Sequence, residues 1–156
     1  MYKGIAAIVA ASLAAATLAG CSPEPAPTTG GDGGGKGVYK IALSNSYLGN
    51  DWRQLMIKTA EVVATKEPFA SKVELTVVNS ENTPEAQAAS VDALVAQDYD
   101  AIIINPSSPT ALAPVVKRAL DAGIVVVSFD SVVDVPGVYT VQTDLTAMAT
   151  GWANYL

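Results

Sequence analysis

From Val38 onward, apolar runs of strand length alternate with stretches of helical periodicity, and this alternation decides most of what the chain can become. The runs are "VYKIALS", "KVELTVV", "AIIIN" and "IVVVSF", with a weaker fifth, "VYTVQT". Between the first two, Trp52, Leu55, Met56, Thr59, Ala60 and Val63 follow the spacing of an amphipathic helix. Thr83-Pro84 and Ser108-Pro109 each pair a capping hydroxyl with proline at the first helical turn. The first of these helices is expected to reach about Gln97. The second carries Leu112, Val115, Val116, Ala119 and Leu120 on one stripe and stops at Gly123. Asp144 caps a last helix, still running at Leu156. "AIIIN" is apolar on both faces, as a strand in the middle of a parallel sheet should be. Strands alternating with helices through short connections lie parallel and are joined by right-handed crossovers. The expected fold class is therefore α/β, an open doubly wound parallel sheet with helices on both faces. Such sheets bind ligands at the carboxyl ends of their strands. That rule selects residues 45–52 after the first strand, 105–108 after the third, and Asp130 with Ser131 after the fourth.

Composition narrows the chemistry at that edge. The chain has 156 residues, about one domain's worth, and half of them are apolar, enough for a core. Its formal net charge is −6 with no basic cluster, which argues against nucleic acid, whose phosphates require Lys and Arg. Histidine is absent altogether. The commonest general base, the usual zinc ligand and every Ser-His or Cys-His nucleophile arrangement go with it. The serines at 44, 46, 107, 108, 128 and 131 have no ordinary activator, so a hydrolase is not expected. No enzyme activity, metal or cofactor is anticipated. A phospho-acceptor receiver domain shares the strand pattern but needs acidic residues after strand one and an aspartate after strand three; here stand Ser44-Asn45 and Asn105.

The segment before Val38 is of another kind. Residues 1–20, "MYKGIAAIVAASLAAATLAG", place Lys3 before a short apolar run and then small residues, the pattern of a secretory signal too short for a span of ~20 apolar residues. The run ends in Leu18-Ala19-Gly20-Cys21, which resembles the lipobox of bacterial lipoproteins. The resemblance implies cleavage before Cys21 and lipidation there, leaving an extracytoplasmic protein tethered to the membrane. Several acyl chains would anchor it firmly where one alone would not. Residues 21–37 continue as a Pro/Gly-rich flexible linker, of end-to-end distance ~20–24 Å. Gly30, Gly35 and Lys36 match the start of a Walker A loop. However, Gly37 supplies no hydroxyl for magnesium, and no strand precedes the segment to make a phosphate cradle.

Residues 38–156 carry a family resemblance. "KIALSNSYLGNDWRQLM", "AQDYDAIIINPSSPTAL" and "DAGIVVVSFDS" resemble the matching segments of ribose-type periplasmic sugar-binding proteins, which feed ATP-binding-cassette importers. What the resemblance implies is one lobe of a periplasmic-binding-protein-like fold, a sugar-like ligand, and a permease with its ATPase as partners. It assigns the first loop's sugar-facing residues to Ser46, Asn50, Trp52 and Arg53. It assigns Asp130 to an aspartate whose two oxygens accept from adjacent hydroxyls. Ser131 stands where many relatives have arginine, and Arg53 where ribose binders have a second aromatic. Both departures point away from ribose itself, and Arg53 would suit a carboxylate or a ligand with more hydroxyls. In the family the chain then crosses to a second lobe of similar size, so this sequence is expected to be a truncated N-terminal lobe with impaired binding.

Chemistry and architecture compete at several of these positions. A sugar ring has apolar C–H faces that can lie on the Trp52 indole and a hydroxyl rim that Asn50 could serve, since an amide both donates and accepts. Trp52 is equally in phase with its helix's apolar stripe. Asn50 can serve as a helix cap, Asp51 as a first-turn carboxylate complementing the helix dipole, and Asn105 before Pro106 as a turn former. Asp130 carries the strongest case for ligand contact. Sugar-responsive repressors are excluded by the signal peptide and the missing DNA-binding headpiece. The alternative is a lipid-anchored sensor presenting its ligand to a membrane receptor or chemoreceptor.

Overall fold

A computed structural model describes residues 37–155. The segment expected to be a signal peptide, Cys21, the Walker-like glycines and Leu156 lie outside the described residues. Strand β1 (Tyr39–Asn45) is followed by helix α1 (Asp51–Ala64), β2 (Val73–Asn79), α2 (Pro84–Val95), β3 (Ala101–Asn105), α3 (Pro109–Asp121), β4 (Val125–Phe129), β5 (Tyr139–Val141) and α4 (Leu145–Tyr155). The strands form one five-stranded sheet in the order β2-β1-β3-β4-β5, every pair parallel. The connections leave β1 in one direction and β3 in the other, so the order reverses beside these two strands. In open α/β sheets that switch point opens the crevice where ligands sit.

The helix ends follow from their capping residues. The side chains of Asn50, Thr83, Ser108 and Asp144 accept from the backbone N–H groups of Arg53, Ala86, Ala111 and Ala147 at 2.9, 3.1, 3.3 and 2.8 Å. Each satisfies one donor that a helix start leaves without an intrahelical partner. Helix α3 ends through Gly123, whose φ of +82° is left-handed and suits glycine.

Period-two alternation sorts the strand side chains. Ala42, Ile102, Ile104 and Val126 pack against Val91 and Leu94 of α2 and Leu112, Val115, Val116 and Ala119 of α3. The opposite face carries Leu43, Leu75 and Ile103 towards α1, where Met56, Ala60 and Val63 share apolar cavities of about 280 and 250 Å3 with them. Helices therefore lie on both faces, as the alternation requires, but the two faces are unequal. The stripe expected on α1 is not a buried face: Met56 and Ala60 are half-buried, Trp52, Leu55, Thr59 and Val63 are exposed, and the helix's one buried residue is Ile57, off the stripe. The fifth strand is short and exposed, and Leu145, Met148, Trp152 and Tyr155 of α4 are exposed too. Among the described residues no helix is long and apolar enough to cross a membrane.

Candidate functional site

Strands β2, β1 and β3 each end in asparagine, and the parallel register sets Asn45 opposite both Asn79 and Asn105. Asn45 and Asn105 are fully buried. A buried amide must find partners, because leaving one unpaired costs on the order of 1–3 kcal/mol. The partners define the site. Asn45 Nδ2 donates to Asn79 Oδ1 (2.8 Å) and to the Tyr47 carbonyl (2.6 Å), while its Oδ1 accepts from Arg53 Nη1. Arg53 Nη2 donates to Asn105 Oδ1 at 3.3 Å, and Asn105 Nδ2 donates to Asp130 Oδ2 at 3.4 Å. One polar chain thus runs from β2 across β1, α1 and β3 to the end of β4.

Arg53 is the hinge of this chain. Its guanidinium lies 4.6 Å from the Tyr47 ring centroid, a cation–π distance. Only two of its five N–H donors are used by Asn45 and Asn105. Among the described residues the ion pairs are Lys117–Asp121 and Arg118–Asp92, on α2 and α3. The charge on Arg53 is therefore held by neutral oxygens and an aromatic face, with donors left for something else. Tyr47 is fixed in turn, its Oη accepting from Asn50 Nδ2 at 3.2 Å.

Asp130 sits at φ +64°, the left-handed region, which aspartate tolerates better than most residues. Its N–H donates to the Val141 carbonyl at 3.0 Å, tying the end of β4 to β5. With Trp52, Phe129, Val141, Gln142 and Thr143 it lines a cavity of about 280 Å3, just below the usual size of small-molecule sites. Hollows elsewhere, beside Asp98 and Gly123 or beside Glu61 and Thr65, lie away from the polar chain.

The sequence-based candidates divide on these grounds. Trp52 is 51% exposed, more than a core side chain would be, and it shares the cavity with Asp130. Arg53, Asn105 and Asp130 are joined directly. Asn50 caps α1 and also reaches Tyr47. Ser46 is buried, with its hydroxyl unpartnered among the described residues and its carbonyl accepting from Asn82 N–H. Ser131 contributes its carbonyl to Ser128 Oγ in the turn after β4, and its side chain does not join the chain of contacts. Asn45 lay in the loop selected after the first strand but was given no role, and Gln87, Phe129, Gln142 and Thr143 were not among the candidates. The signal for Asn45 was legible, since three strands ending in the same amide meet at one edge. Gln142 and Thr143 follow the weakest strand, whose place in the sheet no pattern fixed.

Comparison with known proteins places the fold. Residues 41–156 match the family described as periplasmic binding protein domain. The chain is 30% identical over 131 residues to the ribose import binding protein of Bacillus subtilis, covering 83% of this chain and 41% of that protein. Its fold superposes on an ABC transporter solute binding protein from Thermobispora bispora with a TM-score of 0.60 and 40% identity, over 72% of this chain and 36% of that one. A periplasmic ribose ABC transporter structure from Conexibacter woesei gives a TM-score of 0.70 at 25% identity, over 79% and 41%. The chain spans less than half the length of each of these relatives. With its parallel α/β sheet forming one lobe of that fold, the chain belongs to the periplasmic binding protein domain family.

Proposed function

We propose that this protein is the extracytoplasmic, lipid-anchored binding component of an ABC importer, and that it takes a neutral sugar-like solute at the edge formed by Arg53, Asn105 and Asp130. The observation that carries the reading is the polarity order of that edge. Arg53 offers N–H donors, Asp130 offers carboxylate acceptors, and Asn105 between them touches both. Two neighbouring hydroxyls satisfy such a pair: one O–H donates to Asp130 while the next oxygen accepts from Arg53. A half-exposed indole beside them takes the C–H face of a ring. A ligand carboxylate would pair with Arg53 but would lie close to Asp130, so the hydroxyl-rich alternative is the better fit. Ribose and allose, named for relatives of this chain, are the natural first probes. Binding without chemical change accords with a chain that has no histidine. Cys21 would carry the lipid, and a permease with its ATPase would receive the sugar.

The test is a titration of the isotopically labelled protein with D-ribose, D-allose and their aldonic acids. Neutral sugars should shift the Trp52 indole, the Asn105 side-chain amide and the Asp130 backbone together, and the acids should bind more weakly. Perturbations confined to other residues, or preference for the acids, would overturn the assignment.

A further inference from the structure

Gln87, on the second turn of α2, is fully buried although it is among the most hydrophilic uncharged residues. Its side chain is held on three sides. Nε2 donates to Ser44 Oγ at 3.2 Å and to the Asn105 carbonyl at 3.0 Å, and Oε1 accepts from the Ser107 N–H at 2.7 Å. These contacts touch the residue before Asn45 on β1, Asn105 itself, and the turn that leads from β3 into α3. Asn45 and Asn105 are the two amides that grip the Arg53 guanidinium. We propose that Gln87 is a positioning residue for the binding edge: it locks the ends of β1 and β3 and the 105–107 turn in one arrangement, and so aims the remaining Arg53 donors.

A purely structural role would be different. Sheet pairing already sets Asn45 opposite Asn105, but it fixes neither the turn after Asn105 nor the backbone on which its side chain pivots. Among the described residues no other side chain bonds to the Asn105 carbonyl or the Ser107 N–H of the β3–α3 turn. Burial makes the arrangement stiff, because an amide in low dielectric cannot exchange its partners for water without penalty.

The inference uses the sugar-binding reading for its consequence only; its geometry can be tested without ligand. In the full chain, the Arg53 guanidinium is followed by NMR. The parent protein should show resolved, slowly exchanging Nη signals. Gln87→Met, nearly isosteric and apolar, should collapse them into one averaged signal and shift the Asn105 side-chain amide. Val91→Ala, one turn further along α2 in the same core, should lower stability and leave these signals unmoved. Where Gln87→Met does not fold, Gln87→Glu serves, since it keeps an acceptor for Ser107 and loses at least one amide donor. Unchanged Arg53 signals in the Gln87 variant, or equal changes in Val91→Ala, overturn the proposal. With D-ribose as probe, Gln87→Met should weaken binding about fivefold in the parent and have no further effect in an Arg53→Ala background. The same loss in both backgrounds would also overturn it. A protein that ignores both D-ribose and D-allose but shows the guanidinium response would refute the sugar reading alone.

Discussion

Replacing Trp52 with alanine separates a ligand platform from a core anchor, because the two roles predict different energies. A Trp side chain that is wholly buried removes up to about 250 Å2 from water. Trp52 is 51% exposed, so roughly half of that area is covered by the protein. At about 25 cal/mol per Å2 the covered half stabilises the fold by ~3 kcal/mol, and allowing for a compact unfolded state lowers this to ~2 kcal/mol. Alanine in the first turn of α1 returns about 0.5 kcal/mol of helix propensity. The expected loss is therefore ~1.5 kcal/mol, measured by urea unfolding followed by far-ultraviolet circular dichroism. Sugar-induced shifts at Asn105 and Asp130 should weaken far more than stability does. A stability loss of about 4 kcal/mol, in the range of aromatic truncations within cores, would show the indole to be structural and refute the platform.

Two further perturbations bear on the same edge and a third on the lipid anchor. Asn50→Asp keeps the α1 cap but loses the Nδ2 donor to Tyr47, so stability should hold while sugar affinity falls; unchanged affinity in titration would reduce Asn50 to a cap. Asp130→Gly relieves a left-handed backbone at φ +64°, and thermal unfolding should show stability equal to the parent or higher by about 1 kcal/mol, with sugar response abolished. Loss of stability instead would mean that the Asn105–Asp130 contact outweighs the strain. Cys21→Ser should abolish lipid modification and shift the protein from the detergent to the aqueous phase on partitioning, with intact mass spectrometry as the check.

The order of elements, every helix N-cap and the end of α3 were legible because they rest on local chemistry: a hydroxyl, amide or carboxylate before a helix, proline inside its first turn, glycine after its end. The α2/α3 face was equally legible, since Leu112, Val115, Val116 and Ala119 repeat at helical spacing and all are buried. The α1 face was not. Its apolar stripe is real, yet periodicity gives the direction of a side chain and not whether anything lies over it, and Leu55 and Trp52 face outward. At the site, Asp130 and Trp52 could be nominated from their positions at strand ends. Their meeting in one cavity depended on β5, a three-residue strand too short to carry a pattern of its own. Gln87 was hidden for a different reason. A glutamine on a helix reads as solvent-facing, and only the fold shows that it points between two strand ends.

On the proposed sugar-binding reading, these layers would divide the work of recognition between rigid and adjustable parts. Asn45, Asn105 and Gln87 are buried amides with their hydrogen bonds taken up by neighbouring strands and turns, so their geometry is fixed before any ligand arrives. Trp52, Asn50 and Asp130 stand at the surface and can settle against a ring without disturbing the core. Arg53 joins the two sets: its inner hydrogen bonds go to the buried amides and its spare donors remain available. The described residues nevertheless form one wall only. A ring resting on that wall keeps its far face in water, short of the 70–90% burial of tight small-molecule sites. On that reading, pre-organisation of this kind would set which hydroxyl pattern is preferred, while affinity would depend on how much of the ring is enclosed. Selectivity between epimers should therefore be measurable on residues 38–156 even where binding itself is weak.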